Sequence, residues 1–314
     1  MILTVTLNAA IDKLYVLDRL CPHGVMRVKE VNNTAGGKGL NVSRVAALAG
    51  ERVTAMGFVG GYNGAFFESL IREQGIEKHF THVQTETRCC INVRDAEAGL
   101  STEFLEPGSP VLPENIQQFL SDYEDRLPEA DVVVISGSMP KGVPEDFYGV
   151  LVRAANRHKI PVILDSSGAA LKNALSSGPS MIKPNTDEIR QLLQTGIGSR
   201  QELLAAAKRL HSGGIAVVAV SLGKDGVLVV CKEGVFHGVT PDLPVVNTVG
   251  CGDSMVAGFA VSMARRVPME QAIRYAVAVS TANAMTKETG FFRQDDLERL
   301  LEQVSVDQLE KPIS

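Results

Sequence analysis

The sequence has no tryptophan, and only 5% of its residues are aromatic. Base-stacking surfaces for nucleic acid are therefore not indicated. A basic excess is missing as well. The 314 residues carry a net charge of −5, which gives no electrostatic reason to expect nucleic acid or an anionic membrane as partner. A phosphorylated ligand would have to find its positive charge locally. The cysteines (Cys21, Cys89, Cys90, Cys231 and Cys251) are odd in number and lack CxxC spacing, so they read as reduced cytoplasmic thiols, not as a disulfide or zinc framework. No charge-free apolar run reaches the roughly 18 residues of a membrane span. The opening residues, Met1 to Asn8, lack the basic start of a signal peptide and read as a strand. Neither an internal repeat nor a low-complexity tract is visible.

What is present is enough apolar residue, 45%, for a sizeable core. Short apolar strands alternate with amphipathic helices, which is the pattern of an α/β fold: a mostly parallel sheet with helices on both faces. The spacing predicts strands at Ile2–Leu7, Val53–Val59, Asp131–Ser136, Pro161–Leu164, Met181–Lys183, Ala216–Ser221 and Leu243–Val246. It predicts helices at Ala65–Gln74, Glu114–Arg126, Pro144–Asn156, Thr186–Gln194, Gln201–His211, Met255–Ala264 and Pro268–Lys287. Two stretches break the pattern. Residues 13–34, with Arg27–Val31 as one strand, and residues 83–107, with Arg88–Arg94 and Ser101–Glu106, alternate apolar and polar. They read as one small β-sheet lid inserted into a core made of residues 1–12, 35–82 and 108–314. The tail after Gln303 is polar and suggests no element.

Polar residues gather at the carboxyl ends of successive strands: Asp12, Ser138, Asp165, Lys183, Ser221 and Asp253. In open α/β sheets that edge is where ligands bind. The richest stretch is Asn247–Ser254. A glycine turn at the start of a helix aims backbone N–H groups at an anion. Asp253 is poorly suited to holding phosphate but well suited to deprotonating a group that attacks it; the plainer alternative is a helix cap. In the second glycine-rich stretch, Thr34–Arg44, Lys38 offers a cation and Asn41 a two-sided amide, and the spacing is not that of a Walker A loop. Glu188, three residues after Asn185, could cap a helix or hold a hydrated Mg²⁺. Arg88 is a lone cation entering the lid.

Gly36-Gly37-Lys38-Gly39-x-Asn41 and Thr248–Asp253, with Lys183-Pro184-Asn185-x-x-Glu188 and Ser221-Leu222-Gly223-x-x-Gly226, resemble the ordered motifs of the ribokinase-like sugar kinases, the PfkB family. Thr34–Val42, Glu86–Arg88 and Ile135–Ser138 resemble its hexose-phosphate branch. The resemblance implies ATP and Mg²⁺, a ketohexose phosphate as acceptor (tagatose 6-phosphate or fructose 1-phosphate), and a homodimer through the lid. It implies that Asp253 is the base and that Gly250, Cys251 and Gly252 form an anion hole. Asp12, Gly37, Lys38, Asn41 and Ser138 would hold the sugar phosphate, with Arg88, and less strongly Arg27, on its phosphate. Lys183, Ser221, Gly223 and Gly226 would line the ATP site, and Asn185 and Glu188 would support Mg²⁺. Another sugar or nucleoside as acceptor, or a non-catalytic sugar-phosphate-binding regulator, is the alternative. Cys251 departs from the family's usual small residue; a thiol at a helix start is open to acidification and oxidation, though inertness is favoured. Val25 stands where some relatives carry a lysine, which leaves a second phosphate-binding cation in doubt.

Overall fold

The computed structural model describes residues 1–72, 75–194 and 196–312. The chain opens with β1 (Ile2–Thr6), β2 (Ala10–Leu17), β3 (Glu30–Gly36) and α1 (Lys38–Leu48). Then come β4 (Val53–Gly60), α2 (Gly61–Leu70), β5 (Ile76–Val83), β6 (Arg88–Asp95) and β7 (Leu100–Leu105). The middle third holds α3 (Pro113–Arg126), β8 (Val132–Ser136), α4 (Phe147–Arg157), β9 (Val162–Asp165), α5 (Gly168–Ala174), β10 (Met181–Ile182), α6 (Thr186–Leu193) and α7 (Arg200–Ser212). The last third holds β11 (Val217–Ser221), β12 (Val227–Cys231), β13 (Gly234–Val239), α8 (Cys251–Ala264), α9 (Met269–Ala284), α10 (Gln294–Gln303) and β14 (Ser305–Glu310).

Ten strands form one sheet in the order β14-β13-β12-β11-β10-β9-β8-β1-β4-β5. From β11 to β5 the pairing is parallel, and β12, β13 and β14 add an antiparallel edge. The order runs outward in both directions from the β1–β8 boundary, so the crevice of the fold opens beyond the carboxyl ends of those two strands. Their side chains alternate between two cores. Leu3, Val5, Val133 and Ile135 pack with Phe119, Tyr123 and Leu151 of α3 and α4. Ile2, Val132 and Val134 pack with Val42, Phe259, Ile273 and Leu300 of the helices on the other face. Both faces being covered explains why β8 is a nearly continuous apolar run and why β1 is buried along its whole length. α8 and α9 approach closely at Gly258, where a Cβ would lie 2.5 Å from Ala276 Cα.

The lid is a second sheet of order β3-β2-β6-β7. Its base is fastened to the core by Ile11, Ala35 and Cys89, which pack with Val59, Phe67 and Phe80. Because β2 begins at Ala10, Asp12 belongs to a lid strand and does not sit at the end of β1. Arg27 lies in the exposed loop before β3 and not in a strand. Other expectations also shift. Leu243–Val246 is not a strand: Pro244 removes a donor, and Val245 and Val246 are exposed. α8 starts at Cys251, four residues earlier than expected, α4 starts only at Phe147, and α9 ends at Ala284. The expected end of α2 at Gln74 lies outside the described residues. β5 and β14 had no apolar signature because they are edge strands, where backbone pairing suffices and charges guard against aggregation. α5 and α10 were not foreseen either. Among the described residues no helix is long and apolar enough to cross a membrane.

Candidate active site

A cleft of about 1290 Å³ lies at the carboxyl edge of the sheet, roofed by β2, β6 and β7 of the lid. Asp12, Gly37, Lys38, Asn41, Arg88, Ser138, Lys183, Asn185, Glu188, Ser221, Gly250, Gly252 and Asp253 all line it. Four of the expected site residues are not among its lining residues: Arg27, Cys251, Gly223 and Gly226. Gly226 serves the turn after β11. Its φ is 89°, and a Cβ there would overlap the carbonyl oxygen of Gly238. The neighbouring Gly223 forms part of the same tight turn.

The turn before α8 is built by Gly250, whose φ of 81° is left-handed and where a Cβ would lie 2.7 Å from Thr289 Cγ2. The helix that follows cannot satisfy its own first N–H groups. One of them, from Cys251, donates to Thr248 O at 3.3 Å, so Gly252 and Asp253 are the remaining first-turn donors for an anion. The Cys251 thiol points elsewhere, accepting from Asn283 Nδ2 at 3.4 Å. Burial pushes its pKa up, which overrides the acidifying effect expected of a helix start.

Asp253 is 7% exposed, and Asn41 Nδ2 donates to its Oδ2 at 2.8 Å. Its pKa is raised to about 6, chiefly by burial and next by Asp165, against the Asn41 bond, Lys38 and Lys183, which oppose the rise. The carboxylate is thus a better proton acceptor than an ordinary aspartate and is still ionised at neutral pH. Asp165, at the end of β9, lies at the centre of the charges. Its Oδ2 is 3.6 Å from Lys38 Nζ and its Oδ1 3.4 Å from Lys183 Nζ. Neither oxygen makes a hydrogen bond among the described residues. Asp165 raises the pKa of Lys38 against the opposing effect of burial, so that ammonium stays charged. Lys183 is 6% exposed, and a Cβ on Gly252 would lie 3.4 Å from its Nζ, which puts this cation beside the N-terminus of α8.

The lid side carries Asp12 and Arg88. The pKa of Asp12 is raised to about 6, chiefly by burial, although Arg88 and Arg44 oppose the rise. Gly36 is required here because a Cβ would overlap the Asp12 carboxylate. Arg88 bridges lid and core. Its Nε and Nη2 donate to Asn8 O at 3.2 and 3.0 Å, and its Nη1 donates to Glu106 O at 2.8 Å. Asn8 Nδ2 in turn donates to Ser138 Oγ at 3.1 Å.

Asn185 and Glu188 form a reciprocal capping box at the start of α6. Glu188 N donates to Asn185 Oδ1, and Asn185 N to Glu188 Oε2, both at 2.8 Å. The capping reading therefore holds, and Glu188 keeps one carboxylate oxygen outside it. No cluster of three or more His, Cys, Asp or Glu side chains that could cage a metal occurs among the described residues. This donor set suits a hydrated divalent cation carried on phosphates, touched through one carboxylate, and not a protein-caged ion.

Two residues of the site, Asn8 and Arg44, escaped the sequence reading, and so did one pairing. Asp165, Lys38 and Lys183 were each expected near the site, but not that both lysines meet the one carboxylate. Asn8 had no motif. Arg44 sits three residues after Asn41, on the same face of α1. It donates to Asn41 Oδ1 at 3.2 Å and Thr289 O at 3.1 Å through Nη1, and to Ala35 O at 2.6 Å through Nη2.

The pfkB family carbohydrate kinase model matches residues 5–295. Tagatose-6-phosphate kinases of two Staphylococcus epidermidis strains are 39% identical over 309 residues, covering 98% of this chain and 99% of theirs. Phosphofructokinase-2 from Escherichia coli, solved with potassium, superposes with a TM-score of 0.89 at 30% identity, covering 96% of this chain and 98% of that one. A possible 1-phosphofructokinase from Thermotoga maritima gives 0.89 at 26% identity, with 98% and 99% coverage. The ribokinase-like architecture, the ordered motifs and the near full-length match agree, and this chain belongs to the PfkB family of carbohydrate kinases.

Proposed function

We propose that this protein transfers the γ-phosphoryl group of ATP to a hydroxyl of a ketohexose phosphate, tagatose 6-phosphate or fructose 1-phosphate, to give a bisphosphate. One observation carries the reading: a buried carboxylate, Asp253, stands in the first turn of a helix whose free N–H groups and flanking Lys183 suit an incoming phosphoryl group. The acceptor oxygen forms its bond to the γ-phosphorus as the bond from that phosphorus to ADP breaks, and the hydroxyl proton passes to Asp253. Phosphoryl transfer needs positioning and charge stabilisation more than covalent help. Gly252 and Asp253 N–H groups and Lys183 meet the charge on the transferring group. Lys38, held by Asp165, neutralises charge beside the base. Asp12 accepts a hydrogen bond from a sugar hydroxyl and fixes orientation, since its charge disfavours the phosphate. A divalent cation on the nucleotide, approached through water by Glu188, would supply further charge neutralisation. The lid keeps water from the phosphoryl group.

Arg88 is the cation proposed for the phosphate already on the sugar. Arg88→Ala should raise KM for the sugar phosphate about 100-fold and leave KM for ATP within about twofold, since charge-assisted hydrogen bonds contribute roughly 1.5–3 kcal/mol. The test is ADP release against tagatose 6-phosphate, fructose 1-phosphate, fructose 6-phosphate and unphosphorylated sugars. A preference for an unphosphorylated sugar or nucleoside, or an unchanged KM in Arg88→Ala, would overturn the assignment.

The lid also supports a homodimer. Val31 and Phe104, on its outer strands, do not line the cleft and are exposed, Phe104 by 56%. Exposed apolar side chains there are what a partner's lid would cover. Sedimentation equilibrium should give a dimer for the parent protein and a monomer for Phe104→Glu; a parent that sediments as a monomer removes this proposal.

A further inference from the structure

The base is oriented by an amide, and the amide by an arginine. Asn41 can present either its N–H₂ or its carbonyl oxygen to Asp253, because the two ends are sterically alike. Which end faces the acid depends on what the other end meets. Here the other end meets Arg44 Nη1 at 3.2 Å. A guanidinium has donors and no acceptor. It therefore fixes Oδ1 on its own side and leaves Nδ2 to donate to Asp253 Oδ2 at 2.8 Å. Were the amide reversed, N–H would oppose N–H at Arg44, and Oδ1 would face Asp253, a contact tolerable only if Asp253 carried a proton.

We propose that Arg44 is a positioning residue: by holding the Asn41 carbonyl with a group that can only donate, it forces the amide N–H onto Asp253 and keeps the base in its proton-accepting form. The inference rests on Asp253 being the base. The same guanidinium ties two other parts of the site together. It donates to Ala35 O, which precedes Gly36, and to Thr289 O, whose side chain packs against Gly250. One side chain thus spans both glycine-rich turns. The remaining charged groups acting on Asp253 are Asp165 on β9, Lys38 on α1 and Lys183 after β10. The Cys251 thiol lies two residues before Asp253 on α8 and is held neutral by burial. None of these is altered by substituting Arg44.

Removing Arg44 frees the amide to turn, and a turned amide stabilises the protonated acid. Arg44→Met should therefore move the acidic limb of kcat/KM up by about one pH unit, a shift that mere loosening of structure would not produce. Arg44→Lys, which also only donates, should bring the limb back toward its original position even though a single ammonium cannot keep all three contacts. In an Asn41→Leu background, adding Arg44→Met should shift the titration of Asp253 no further, read at its own carboxyl resonance because Arg44 also holds down Asp12. The carboxyl ¹³C resonance of Asp253, assigned by its loss in Asp253→Asn, should show the same shift without turnover. A limb and a resonance that titrate where they do in the parent protein would overturn the proposal, as would a full shift that persists when Asn41 is already leucine. If instead the parent protein releases no ADP with any sugar, the functional reading has failed, and the resonance alone still decides whether Arg44 sets the state of Asp253.

Discussion

Asp253→Asn should bind ATP and the sugar phosphate nearly as the parent protein does and turn over about 10²–10⁴-fold more slowly, the range that general-base catalysis contributes. Asparagine is nearly isosteric and can still accept the Asn41 bond, so binding geometry survives while proton acceptance is lost. The same substitution should raise stability. The folded-state pKa of Asp253, about 6, lies above the ordinary value of 3.8. The native state therefore holds its proton more tightly than the unfolded chain does. Stability linked to this group is complete below about pH 4 and is lost as pH rises through about 6. About two pKa units correspond to an upper bound near 3 kcal/mol at pH 7.5. Thermal melts should then place Asp253→Asn a few degrees above the parent at pH 7.5 and level with it at pH 4. Turnover within tenfold of the parent would remove Asp253 from the chemistry. An unchanged melting temperature at pH 7.5 would show that its burial carries no such cost. A catalytic group held against its own stability is common at active sites.

Asp165→Asn should have the largest effect on the fold among single changes in the cleft. Asp165 and Lys183 are both almost fully buried, and the two lysines share this one carboxylate. Taking one partner from a buried pair strands the other charge and costs about 3–5 kcal/mol. Urea denaturation at pH 7.5 should show the midpoint falling in proportion; an unchanged midpoint would mean that water already compensates Lys183. The kinetic consequence runs opposite to that of Arg44→Met. Asp165 raises the pKa of Asp253, second only to burial, so its neutralisation should move the acidic limb of kcat/KM to lower pH. Two substitutions on either side of one carboxylate thus shift the same limb in opposite directions, which a general loss of structure cannot mimic.

How much of this was legible in advance depends on the range over which each feature is determined. The start of α7 was expected at Gln201 and lies at Arg200, because the groups that set it, Ser199 and Glu202 in a capping box, lie within one turn. The glycine turns before α1 and α8 were readable for the same reason. The capping role of Asn185 and Glu188 was one of two readings, and the structure has both side chains in the box. The Leu243–Val246 segment misled because its valines look strand-like, whereas they lie exposed outside any sheet. β14 was invisible because its pairing with β13 uses backbone groups that every sequence has.

The sequence by itself determined the α/β class, the lid, the two glycine-rich turns and the type of chemistry, since periodicity, turn residues and motif spacing are local properties of the chain. Tertiary structure alone decided the electrostatics. Asn41 and Asp253 are 212 residues apart, and Arg44 and Thr289 are 245 apart, yet each pair is hydrogen-bonded. The pKa of Asp253 depends on burial and on Asp165, Lys38 and Lys183 arriving from three other elements. Desolvation and charge–charge interaction act through space and not along the chain, so no reading of neighbouring residues could supply them.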